Sequence, residues 1–137
     1  MDATEITQNF ADNSFECVLA FDLIEHLDKA DGWTLLDNME RIASKKVIVF
    51  TPNGFLPQSA LHGNEAQVHK SGWTVSEMQA RGYKVIGVHG PKPLLGETSA
   101  PKWWPNQFWL AVTVMAQPLF LKLPKLSFQI FCVKSKA

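Results

Sequence analysis

The sequence predicts an α/β fold built on a mostly parallel sheet with flanking helices. Two observations lead there. The stretch from 15 to 54 runs FECVLAFDLIEHLDKADGWTLLDNMERIASKKVIVFTPNG: an apolar run, an acidic loop, a helical period, then a second apolar run and a tight turn. That is the order of one β-α-β unit, whose strands are parallel and whose crossover is right-handed in nearly all proteins. The second observation is length, since 137 residues suffice for one domain with its own core and no staples. Ligands of open parallel sheets sit beyond the carboxyl ends of the strands. The polar exits of both strands, Asp22 to His26 and Thr51 to Gly54, therefore share the rim where a site belongs.

Each element follows from its local pattern. Residues 1 to 14 show no period, and Ala11-Asp12-Asn13-Ser14 is turn chemistry. Residues 15 to 21 form a nearly continuous apolar run, as in strands buried on both faces. Asp28 is placed to cap a helix over about 29 to 43, with Trp33, Leu36 and Ala43 at helical spacing. Gly32 weakens its first turn. Lys45-Lys46 closes it, where positive charge complements the negative helix end. Residues 47 to 50 are the second buried strand, ended by Pro52.

Residues 55 to 72 form a long loop holding His62, Gln67, His69 and Lys70, and loops of this length are functional or disordered. Thr74 and Glu77 make a capping box for a short helix through Ala80, and Gly82 suits its C-terminal cap. Residues 83 to 88 are a third strand and 127 to 133 a last one. Between them, prolines punctuate the chain around an apolar segment, FWLAVTVM, read as a helix from 108 that continues to 117. Packing against the sheet is the ordinary role for such a segment. A membrane-surface or partner-binding face is the alternative, given Trp103, Trp104 and Trp109. It is too short to span a bilayer.

Thirteen basic residues balance thirteen acidic ones, which argues against a general nucleic-acid surface. No secretory signal opens the chain, so Cys17 and Cys132, each in an apolar run, are expected as buried free thiols of a cytoplasmic protein.

Asp2-Ala3, then Asp12-Asn13-Ser14-Phe15-Glu16-Cys17-Val18, then Glu25-His26-Leu27, resemble class I S-adenosylmethionine (SAM)-dependent methyltransferases, most of all the small-molecule branch called type 11. Glu16 stands where that branch usually has aspartate. VIVFTPN at 47 to 53 resembles the family's fifth strand and turn, and His69 to Thr74 its loop into the next helix. The family's first strand, its G-x-G-x-G turn and the acidic end of its second strand have no counterpart, and no G-x-G occurs anywhere in the chain. The resemblance implies a single domain over 1–137, the C-terminal half of a Rossmann-like methyltransferase fold, mostly parallel with the last strand antiparallel. It implies SAM as cofactor of the complete enzyme and a small-molecule acceptor; a truncated gene, a misplaced start, and a split enzyme whose N-terminal half a partner chain supplies are the three alternatives for the missing front. It also implies that the strand at 15 to 21, normally mid-sheet, has an unpaired edge.

On the same basis Asp2, Ala3, Phe21 and Asp22 are the cofactor-binding candidates. Asp2 matches the residue that receives the adenine amino group, and the competing reading is a free chain end. Asp22 can instead simply cap its turn. Glu25 and His26 are the candidate catalytic pair, a His acting as general base with a carboxylate setting its protonation. The competing reading is a pair of polar residues that orient the loop. Asn53 and His69, on loops over the same rim, are candidate acceptor contacts, against a turn asparagine and a solvated histidine. Asp22-x-x-Glu25-His26 also resembles a magnesium cluster of some quinone-biosynthesis O-methyltransferases, but no metal ligand is assigned. A non-enzymatic module pairing through the open edge is the main alternative function. A metal hydrolase ranks last, for want of an H-x-x-x-H pair or thiolate cluster.

Overall fold

The structure, a computed structural model, describes residue 5 and residues 9–60, 63–96 and 100–136. Asp2 and Ala3 lie outside the described residues. Strand β1 (Phe15–Phe21) leads through a 3-10 turn (Ile24–His26) into helix α1 (Lys29–Ile42), and α1 passes directly into β2 (Ala43–Pro52). Helix α2 (Val75–Ala80), strand β3 (Lys84–Pro91), helix α3 (Asn106–Lys122) and strand β4 (Ser127–Ser135) complete the chain. The sheet order is β1-β2-β4-β3. β1 and β2 are parallel, while β4 lies antiparallel between β2 and β3. Three strands therefore share one direction and only the last is reversed, as expected.

One strand boundary differs from expectation. Lys45 and Lys46 do not close α1; they belong to β2, which begins at Ala43 with no intervening loop. Both are exposed at the strand's start, where a charged side chain costs nothing. Helix α3 runs past Gln117 and through Pro118 to Lys122. Asp28 occupies the N-cap of α1, but its side chain makes no capping bond. The capping box of Thr74 and Glu77 forms in full on α2.

Alternation along the strands sorts the sheet into two unequal faces. Val18, Ala20, Val47, Val49, Val85, Ile130 and Cys132 join α1 and α2 residues Leu35, Leu36, Met39 and Met78, with Trp73, in the core. The opposite face carries Leu19 and Phe21, both more than half exposed, with Ile48, Phe50, Phe131 and Val133 only partly buried. The expectation of a β1 buried on both faces is thus overturned, and so is that of a buried Cys17, which is exposed while Cys132 is buried. The cause is position: β1 ends the sheet, and only one of its faces is covered. Helix α3 packs along β3 at very short range. A Cβ on Gly87 would meet the Phe120 carbonyl oxygen at 2.4 Å and Ser127 Cβ at 2.6 Å, so only glycine fits. Yet α3 buries only Thr113 and Phe120 and leaves Phe108, Leu110, Val114, Met115 and Leu119 exposed, so packing against the sheet accounts for only part of its apolar surface. Among the described residues no helix is long and apolar enough to cross a membrane.

Candidate functional site at the carboxyl rim of the sheet

At the end of β1 the chain turns sharply at Asp22, whose φ of 45° lies in the left-handed region that Asp tolerates better than most residues. Its N–H still donates to the Phe50 carbonyl at 3.0 Å, so the turn stays tied to β2. The following 3-10 turn brings Glu25 inward, where it is 2% exposed. Thr51 Oγ1, at the end of β2, donates to Glu25 Oε2 at 2.9 Å. The loop before α2 clamps the turn from the other side. Lys70 and Ser71 donate their N–H groups to the Glu25 carbonyl at 2.8 and 3.0 Å, and Trp73 Nε1 and Ser71 Oγ both donate to the Ile24 carbonyl at 3.1 Å. Residues 70 to 73 are therefore fastened over the β1 exit.

Burial pushes the Glu25 carboxyl up to about 7, against the opposing pull of its hydrogen bond from Thr51. Burial also raises Asp22, with His26 the main opposing influence. The neighbouring Asp22 carboxyl raises Glu25 further, while Glu25 draws Asp22 down. Two imidazoles stand beside this pair. His26 Nδ1 donates to the Val68 carbonyl at 3.2 Å, and His69 Nδ1 to the Leu56 carbonyl at 2.7 Å. Because a carbonyl can only accept, each ring in its neutral form carries hydrogen on Nδ1 and leaves a lone pair at Nε2. The rings meet edge to face, 4.8 Å between centroids. Burial lowers the His69 pKa below the ordinary value, with its bond to Leu56 opposing, so His69 is neutral at pH 7.

The sequence-derived candidates therefore divide. Asp22, Glu25, His26 and His69 come together at one rim, although His69 sits 43 positions beyond His26. Phe21 lies at the same rim, its ring more than half exposed against Phe50 and Phe131. Asn53 is buried and turned away: its Nδ2 donates to the carbonyls of Pro124, Lys125 and Ser127 at 2.9 to 3.1 Å, fastening the entry to β4. Of three further residues of the site, Thr51 belongs to the polar strand exit expected at this rim, while Gln129 and His89 gave no signal in the sequence. Thr51 bonds Glu25, Gln129 Nε2 donates to Asp22 Oδ1 at 3.3 Å, and His89 Nδ1 donates to Gln129 Oε1. Gln129 faces the rim only because β4 pairs Pro52 with Gln129, a register that no local pattern reveals. His89, at φ 62°, leads from this chain of contacts to a cavity of about 590 Å³ between β3 and α3, lined by Val88, Leu110, Val114 and Gln117 among others.

No protein-family model and no curated protein matches the chain. Among solved structures it is similar to a SAM dependent methyltransferase from Archaeoglobus fulgidus, with a TM-score of 0.55 and 18% identity over 99% of this chain. The fold is the one these two proteins share. The chain spans 66% of the length of that methyltransferase.

The described residues suit only one end of SAM. Toward its sulfonium and ammonium groups this rim would offer the Asp22 carboxyl and the exposed Phe21 ring. The nucleoside would need a glycine turn for close backbone approach and a carboxylate for the ribose hydroxyls, and the sequence has no G-x-G for that turn. The residues described here do not hold the whole cofactor.

Proposed function

We propose that this chain forms the acceptor side of a SAM-dependent methyltransferase acting on a small molecule. The observation that carries the reading is the fold, similar along 99% of the chain to that of a SAM dependent methyltransferase, with the Asp22–Glu25–His26 cluster at the carboxyl rim of its sheet. Methyl transfer is an in-line displacement, so the protein contributes chiefly by positioning donor and acceptor. The cavity beside His89 has the size and apolar lining of a small-molecule site and is the place for the acceptor. His26, with its Nε2 lone pair, takes the acceptor's proton. The buried Glu25 and the more exposed Asp22 fix the turn on which His26 stands. The contacts to the nucleoside come from a second chain or segment.

The bare edge of β1 favours a second reading, a module that pairs with another chain without chemistry of its own. One experiment separates them. Calorimetric titration of the isolated chain with S-adenosylhomocysteine is expected to show no stoichiometric complex. A chimera adding the third of the Archaeoglobus fulgidus enzyme that this chain does not span is expected to bind it. In that chimera His26→Ala and Glu25→Gln should lower methyl transfer roughly 100-fold or more with the fold retained. A folded chimera that binds no S-adenosylhomocysteine overturns the enzymatic reading.

A further inference from the structure

We propose that Glu25, His26 and His69 form a binding site for a borderline divalent transition cation, with zinc as its simplest occupant. Each residue can offer one ligand atom, and the three atoms lie within 4.8 Å of one another. They come from two separate segments, the turn after β1 and the loop before α2, which the bonds from Lys70, Ser71 and Trp73 lock together. Contraction of the widest separation by about 1.4 Å would bring them to the roughly 3.4 Å that tetrahedral zinc ligands show around a metal at roughly 2.0–2.2 Å.

The arrangement behind the ligands carries the argument further. Metal-binding histidines almost always donate their other ring N–H to a carbonyl or carboxylate, which fixes tautomer and ring direction. Both histidines do so here, to Val68 and Leu56. The carboxylate is held in turn by the Thr51 hydroxyl. Two imidazoles and one carboxylate favour zinc and its transition-metal neighbours over magnesium, which prefers an all-oxygen shell and retains its waters. Three protein ligands also leave coordination positions open. The inference deepens the reading of the same site. With a cation bound, His26 would serve as a ligand in place of its role as base, and the cation would supply Lewis acidity that lowers the pKa of an acceptor hydroxyl. Cation binding itself needs neither SAM nor an acceptor.

The test is competition titration of the full chain with Zn2+ against a chromophoric chelator, paired with the visible absorption of the Co2+ form. One Zn2+ per chain is expected, retained in Cys17→Ser, which removes the exposed thiol. His26→Ala and His69→Ala should each weaken binding 10-fold or more. Zn2+ should raise the melting temperature of the parent chain and not of the double histidine variant, and Mg2+ should not compete. If a histidine variant does not fold, the Co2+ spectrum of the parent chain decides, with intense tetrahedral bands expected. Absence of stoichiometric binding, or binding unchanged in the double variant, overturns the proposal. A folded SAM-free chain that binds zinc supports it whatever becomes of the methyl-transfer reading.

Discussion

Glu40 shows at the scale of one residue how this chain ties distant segments together. Its carboxylate, on α1, accepts from Arg81 Nε at 2.6 Å, from Lys134 Nζ at 2.7 Å and from the Tyr83 hydroxyl at 3.0 Å. The three donors stand after α2, before β3 and on β4, so one side chain fastens three segments to α1. Burial works to raise its pKa, but the bonds from Arg81, Lys134 and Tyr83 outweigh burial and hold it below the ordinary carboxylate value. A group depressed in the folded state stabilises fully above its unfolded pKa, and that contribution disappears as pH falls through the folded one. The contribution is therefore present at pH 7 and fades on acidification below about 4.5. Glu40→Gln should cost roughly 2 kcal/mol at pH 7 by urea denaturation, the scale of a charge-assisted hydrogen bond. It should also flatten the stability profile below pH 4.5. An unchanged acid profile in the variant would assign that pH dependence to other carboxylates.

At the scale of elements, Gly32 shows what local pattern can and cannot say. Helix propensity marks it as a weak point of α1, and Ala there should gain up to about 1 kcal/mol. The structure reverses the sign. A Cβ on Gly32 would lie 2.3 Å from Cζ2 of Trp73, whose ring is fully buried and wedged between α1 and the loop before α2. Lys29 stands 3.7 Å from the centroid of that ring and donates to the Gly72 carbonyl at 2.5 Å, leaving the indole no room to move. Gly32→Ala should therefore destabilise by roughly 1–3 kcal/mol, measured as a lower urea midpoint at constant slope. The same contrast runs through the fold. β1, α1, the capping box of α2 and β4 could be read from apolar runs and cap residues, because those signals are local. The site was half legible for the same reason. Asp22, Glu25 and His26 fall in one short stretch and Thr51 in the polar exit of the next strand, whereas Gln129 and His89 join them only through strand register. The open face of β1 was hidden because an apolar run looks alike whether or not a layer covers it.

The whole molecule has an unbalanced surface. Its core lies on one side of the sheet, while Leu19, Phe21, Ile48, Phe50 and Phe131 face outward on the other. Beside them an apolar groove of about 390 Å³ follows β1, lined by Phe10, Phe15, Leu19, Leu35 and Met39 among others. β1 ends the sheet, so one row of its N–H and C=O groups pairs with no strand among the described residues. No proline or lysine within β1 guards that row. Unprotected apolar edges invite pairing with another chain, and patches of this kind mark interaction surfaces. The chain by itself should consequently self-associate. Size-exclusion chromatography with light scattering over a concentration series should show mass rising with concentration. Leu19→Lys, which places a charge on the exposed face of the edge strand, should shift the distribution toward monomer without lowering the melting temperature. A monomer at every concentration with a sharp, cooperative melt would show instead that the edge is already covered within the chain.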